Sequence, residues 1–378
     1  MNARPLIGIR GLVASLSFTK FSLLLLAAGS LTGCIGDQIE ITGAGATFPA
    51  PIYARWRALY QREHPGTSVH YRPVGSGRGI KAITARDAEF GASDALLKTS
   101  EERALRAPLL AVPTVIGQVV LAYNLPQVSG DITLSGDTIA AIYLGEITRW
   151  NDFRLKAINP DVALPDLPIR VAHRSDSSGT THIFTSYLSA VSAEWREHVG
   201  IGKRVFWPTG DDWSGDGNDG VAHRILLQPG GIGYLELKYA QNAGLRYAAL
   251  LNRAGNRVWP TPGSVQEAER NTLPSPDTYL KPSIVNAPGD NAYPIAAFTY
   301  LLVYQDLSYM EPYKAHLLID FLRWILTTGQ HEAAVLHYTP LPKDLRDAVL
   351  EDVAAITLPP LPDTVDHETE NGRRHSSD

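Results

Sequence analysis

The chain has 378 residues, 44% of them hydrophobic and 19% charged, with a formal net charge of −5. That length allows one to three domains with a sizeable core, in a composition ordinary for a soluble globular protein. The acidic balance and the lack of any Lys/Arg-rich run give nucleic-acid binding little support, and an anion ligand would have to be attracted locally rather than by a basic surface.

The first 33 residues read as a targeting segment. Arg4, Arg10 and Lys20 precede the apolar run Phe21–Leu31, which is too short to span a bilayer but fits a signal-peptide core. Leu31-Thr32-Gly33-Cys34 then resembles the lipobox of bacterial lipoproteins. That resemblance implies cleavage before Cys34 and acylation of its thiol, with residues 34–38 as a short tether. Cys34 is the sole cysteine, so no intramolecular disulfide is expected.

Strand and helix patterns alternate from there. Ile39–Thr42 alternates as a strand. Pro49–His64 reads as a helix with Ile52, Trp56, Leu59 and Tyr60 on one stripe. Thr67–Tyr71 is a strand, followed by a turn at 75–79 and a helix carrying Ile80 and Ile83. Ala88–Ala92 is a short strand ending at Ser93-Asp94, and Val115–Tyr123 is a long apolar strand. Asp137–Tyr143 is a helix, and Ile169–His173 a strand running into a turn at 174–181. The next helix shows Ile183, Phe184, Tyr187, Leu188 and Val191 on one face. Gly230–Leu235 and Ala297–Tyr304 are strands; Ala315–Thr328 is a helix with Leu318, Phe321, Leu322 and Ile325 inward. Proline and glycine cluster over 257–294, a crossing between lobes. The charged stretch 363–378 reads as a disordered tail. The alternation argues an α/β fold with largely parallel sheets, whose ligands sit at the carboxyl ends of strands.

Three segments occupy that position: Thr42–Phe48, Gly75–Gly79 and Arg174–Thr181. Each places Gly, Ser or Thr ahead of a helix, where amides lack intrahelical partners and the dipole is positive. Three together suggest a cradle for an oxyanion. The natural donors are Thr47, the Phe48 amide, Ser76, Ser178, the Gly179 amide and Thr180, with Arg174 adding a guanidinium fork. Asp94 would repel a bare anion but can accept an O–H, so it suits phosphate, which carries a proton near neutral pH, and rejects sulfate. Blander readings compete. Thr47 and Ser76 could be helix caps, Asp94 likewise, and Arg174 and Asp176 could pair at the surface. The 75–79 loop has neither dinucleotide-loop nor P-loop spacing. The acidic loop Asp211–Gly220 fails as a calcium loop, because His223 stands where a glutamate is needed, and reads as a solvated turn. The histidines, His331 and His337 among them, form no metal motif. Ser178 lacks a nucleophile elbow.

Together these segments resemble the phosphate-binding proteins of bacterial phosphate ABC transporters. The likeness is carried by Thr42–Pro51, Phe90–Asp94, Tyr143–Ile147 with Trp150-Asn151-Asp152, Arg174–Thr180, Phe184–Leu188, Trp207–Gly210, Gly217–Val221 and Gly231–Tyr234. It implies a two-lobed periplasmic-binding-protein fold of type II, each lobe a mixed, mainly parallel sheet flanked by helices, with the ligand in the cleft between them. On that template lobe 1 is 39–115 plus 289–362 and lobe 2 is 116–288. The implied phosphate contacts are Thr47, Phe48, Ser76, Asp94, Arg174, Ser178, Gly179 and Thr180, with Asp176 as the acidic partner of the arginine. The second loop departs from the usual Gly-Ser-Ser-Gly-Gly: Gly77 and Arg78 replace a serine and a glycine. The lost serine should remove a supporting hydrogen bond, and Arg78 either faces solvent or adds positive potential at the cleft mouth. The resemblance implies a non-enzymatic, lipid-anchored, exported receptor that delivers inorganic phosphate to membrane permease subunits, without metal or cofactor. A secreted phosphohydrolase on the same cradle and a phosphate-sensing lipoprotein without transport are the rival readings.

Overall fold

The computed structural model describes residues 38–272 and 283–362. The expected leader, Cys34, most of the tether and the charged tail lie outside the described residues.

The amino-terminal part builds β1 (Ile39–Gly45), α1 (Ala50–Glu63), β2 (Thr67–Pro73), α2 (Ser76–Ala85), β3 (Phe90–Ser93) and the short α3 (Thr99–Glu102). A long strand, β4 (Leu109–Tyr123), leads to β5 (Thr133–Leu134), α4 (Gly136–Leu144), α5 (Phe153–Ala157), β6 (Arg170–Arg174), α6 (Gly179–Val191) and α7 (Ala193–His198). Next come β7 (Ser214–Gly215), α8 (Gly217–Leu227), β8 (Gly231–Glu236), α9 (Leu237–Asn242), β9 (Arg246–Tyr247), β10 (Ala249–Leu251), β11 (Arg257–Val258) and α10 (Pro262–Arg270). The chain closes with β12 (Ala296–Tyr304), α11 (Pro312–Leu326) and α12 (Lys343–Ala354).

A nine-stranded sheet runs in the order β2-β1-β3-β12-β4-β8-β6-β7, with β9 also on β4. Its two flanks are parallel, β1 with β2 and β3, β6 with β7 and β8. The centre is antiparallel, because β12 runs against β3 and β4, and β4 against β8. The mainly parallel pattern expected from the alternation thus holds on the flanks and gives way at the centre. Strand β4 joins the flanks: it pairs with β12 along Leu109–Gln118 and with β8 along Val119–Tyr123. It also begins well before Val115, the start expected from the sequence. Pro113 interrupts the pattern there, but the ladder slips between Thr299 and Tyr300, so the residue without an N–H falls at an irregularity.

The stripes expected on the helices are the faces that pack inward. Ile52, Trp56, Leu59 and Tyr60 of α1 and Leu318, Phe321, Leu322 and Ile325 of α11 are buried. On α6, Ile183, Phe184, Tyr187 and Leu188 are buried and Val191 is half-buried. Phe184 stacks on Tyr234, their ring centroids 4.3 Å apart, and Trp207 stacks on the same tyrosine. That apolar floor fixes the helix whose amino terminus meets the other flank. Among the described residues no helix is long and apolar enough to cross a membrane.

Candidate anion-binding site

The carboxyl ends of four strands converge. β1 ends before Thr47, β2 before Ser76, β3 before Asp94 and β6 before Ser178. All eight expected contact residues are buried there.

Thr47 and Ser76 are not helix caps. α1 is preceded by Pro49 and α2 by Gly75, and neither makes a side-chain cap bond. The Thr47 hydroxyl instead accepts from Asn218 Nδ2 at 2.8 Å and from the Asn218 amide at 3.4 Å. Asn218 Oδ1 accepts the Glu236 amide at 3.0 Å, which orients the side-chain amide so that its donors face Thr47 and Thr180. Ser76 Oγ accepts the Gly179 amide at 3.1 Å and the Asp94 amide at 3.3 Å. The Gly179 amide, expected to face an anion, therefore has a protein acceptor here, and an anion oxygen would have to compete with Ser76 Oγ for it. Gly179 has no room for a side chain, since a Cβ would stand 2.5 Å from Asp94 Oδ2 and Ser76 Oγ.

Ser178 does cap a helix: its Oγ accepts the Thr181 amide at 3.1 Å. Its own amide donates to the Lys203 carbonyl at 2.8 Å. Thr180 Oγ1 accepts from Arg174 Nη1 at 3.2 Å. Among the described residues no hydrogen-bond acceptor stands opposite the Phe48 or Thr180 amide, and both residues are fully buried. Buried amides without partners are costly, so both favour an incoming acceptor.

A consistent polarity results. A hydroxyl has one hydrogen and two lone pairs. Thr47 and Thr180 each accept two protein N–H groups, so their hydrogens are what remains to offer; Ser76 also accepts two, with its hydrogen on the long contact to Asp94, and Ser178 accepts one.

Arg174 and Asp176 form a buried bidentate pair, Nε to Oδ1 and Nη2 to Oδ2, both at 2.7 Å. The expected partner is in place, but the fork faces Asp176. One hydrogen on each terminal nitrogen is left for a ligand. Burial pushes the Asp176 carboxyl up, and hydrogen bonds from Arg174 and the Gly217 amide bring it below the ordinary aspartate value. Asp94 differs. Burial dominates and pushes it up to about 7, against the bond from Thr299 Oγ1 to its Oδ1 at 2.7 Å and the nearby Arg174 charge. Its Oδ2 has only the long 3.5 Å contact from Ser76. The site thus contains many donors and one carboxylate oxygen free to accept.

Gly77 donates its amide to the Ser177 carbonyl at 2.9 Å. A Cβ at 77 would lie 2.3 Å from Ser177 Oγ, so the glycine permits a close approach that the usual serine would obstruct. Arg78 is exposed, yet its Nη2 pairs with Asp216 Oδ1 at 2.6 Å, so its charge is not free to add potential at the mouth. The acidic loop is more than a solvated turn: Asp216 meets Arg78, and Asn218 enters the site. Among the described residues no cluster of three or more potential metal ligands occurs. Sequence reasoning missed Asn218, Thr299, Tyr239 and Tyr338. The last two donate their hydroxyls to the Thr47 carbonyl at 2.6 Å and the Phe48 carbonyl at 2.8 Å.

A two-lobed α/β fold with donors gathered where strand ends meet defines the class of periplasmic binding proteins. A family model described as the PBP superfamily domain matches residues 30–328. A solved high-affinity periplasmic phosphate-binding protein shares the fold, with a TM-score of 0.67 at 22% identity over 85% of this chain and 100% of that one. Within that class, the chain is 40% identical to the phosphate-binding protein PstS of Pasteurella multocida, over 86% of this chain and 93% of the relative. It is 39% identical to PstS of Methanocaldococcus jannaschii, over 88% and 93% respectively. The chain belongs to the PstS family of phosphate-binding proteins.

Proposed function

We propose that this chain is an exported receptor that binds inorganic phosphate and delivers it to an ABC-type importer. The observation that carries this reading is the polarity of the site, where hydroxyls and amides donate while Asp94 Oδ2 alone accepts. A hydrogen phosphate ion has oxygens for the donors and a proton for Asp94; sulfate leaves the carboxylate without a partner. Thr47, Phe48, Ser76 and Asp94 hold one side of the anion, and Arg174, Ser178, Gly179 and Thr180 the other.

The lobes are 39–115 with 289–362, and 116–288. The switch of β4 from β12 to β8 near residue 118 supports that boundary. Phosphate contacts both lobes only when they are shut, so binding shifts the population toward the shut form, which docks on the permease. The protein is a binder and not an enzyme. Ser178 Oγ serves as a helix cap, which accounts for a serine there without a nucleophilic role. Acylation at Cys34 holds the protein at the membrane surface. Calorimetric titration tests the reading: tight binding of phosphate with no heat from sulfate is expected, and equal binding of the two would overturn it.

A further inference from the structure

The loop that departs from the family pattern makes a contact of its own. Arg78 lies two residues after Ser76 on the first turn of α2, and Asp216 two residues before Asn218. Their ion pair at 2.6 Å links the two flanks of the sheet directly above groups that line the site. A second pair does the same nearby. Lys203 Nζ meets both oxygens of Glu101 at 2.6 and 2.7 Å. Lys203 also accepts the Ser178 amide through its carbonyl, and Glu101 sits on α3, which follows Asp94. A groove of about 960 Å³ where the flanks meet is lined by Arg78, Glu101, Asp176, Ser177 and Asp216 among others.

We infer that Arg78–Asp216 and Glu101–Lys203 form a two-point ionic clasp across the cleft mouth that sets how long the anion is retained. The inference rests on the closing-receptor reading above. Each pair joins a residue of one proposed lobe to a residue of the other, so it exists only in the shut form and favours that form. The two points differ in kind. Arg78 and Asp216 are 50% and 62% exposed at their side chains, so salt screens them. The Lys203 side chain is 6% exposed and that of Glu101 26%, so this pair is screened less and its loss would leave Glu101 with the Lys98 amide alone. Burial lowers the Lys203 ammonium from its usual value, while Glu101 offsets part of that effect. None of the four side chains is assigned to the anion, so the clasp acts on release and not on recognition.

The test loads the full chain with radiolabelled phosphate and chases it with unlabelled phosphate. Arg78→Glu and Asp216→Arg should each speed release, by about two- to fivefold at low salt, as expected of an exposed pair. Combining them should restore slow release, and high salt should erase the differences. Lys203→Met should speed release by about tenfold or more, given its burial. The unfolding midpoint of the phosphate-free protein should not change with the Arg78 and Asp216 variants. Wild-type release rates in both singles, or fast release in the charge swap, would overturn the clasp while leaving the phosphate reading intact. Failure of the wild type to retain label would overturn the phosphate reading and the clasp with it.

Discussion

Replacing Asp94 by asparagine separates recognition of the anion from recognition of its proton. Asp94 is 5% exposed, Thr299 holds one of its oxygens at 2.7 Å, and the other faces the site. A hydrogen bond to a charged group contributes about 1.5–3 kcal/mol. Asp94→Asn should therefore weaken phosphate binding by about tenfold to about a hundredfold. Sulfate should gain, because the asparagine Nδ2 can donate where the carboxylate repelled. A site built around a ligand hydrogen rejects the analogue lacking it by roughly 10⁴- to 10⁵-fold, and the variant should lose about two decades of that discrimination. The raised Asp94 pKa adds a pH signature. Below about pH 7 the buried carboxyl takes up a proton and becomes a donor itself. Sulfate should then compete better with phosphate as pH falls from about 8 to about 5 in the wild type, and competition should be flat in the variant. The same shift costs the shut, phosphate-free form stability as pH rises from about 4 to about 7, where folded Asp94 holds a proton that the unfolded chain has released. Calorimetric titration with both anions across that range is the assay. Phosphate affinity within twofold of wild type, with unchanged selectivity, would refute the role given to Asp94.

Other perturbations reach different parts of the site. Arg174→Ala leaves Asp176 buried without its partner and should cost about 3–5 kcal/mol in urea unfolding, besides abolishing tight phosphate binding. Adding Asp176→Ala should recover part of the stability and none of the binding. Gly179→Ala drives a methyl into Asp94 and Ser76, so phosphate affinity should fall by at least about a hundredfold while far-UV dichroism is unchanged. Cys34→Ser should move the protein from the membrane fraction to the soluble fraction, as fractionation and blotting would show.

The local signals for this fold were strong where one face of an element is apolar. The stripes on α1, α6 and α11 pack as their spacing indicates. They were weak where tertiary contacts decide. α8 opens with Gly-Asn-Asp-Gly, a poor helix-forming run, and is stabilised by the burial of Val221, Ala222 and Ile225 against the sheet. Strands of two or three residues, such as β5, β7 and β9, carry too few positions to show alternation. The antiparallel centre was hidden because strand direction depends on where the chain crosses, which no periodicity records. In the site, donors with a glycine-rich setting were legible because helix starts announce themselves. Asn218 was overlooked in a loop weighed for its carboxylates. Thr299 sat unnoticed in an apolar strand, where a lone buried threonine was the available signal.

The filled lone pairs of Thr47, Ser76 and Thr180 have a consequence for how such a pocket can change over time. A cation or an amine entering the same space would meet hydrogens on the hydroxyls and find Asp94 Oδ2 as its main acceptor. Converting it would require Asn218, the Gly179 approach and the Ser178 cap to be rearranged together, since altering any one alone orphans a buried amide. Single substitutions can dull this receptor or blur its choice among tetrahedral anions, but a new class of cargo lies several coordinated steps away.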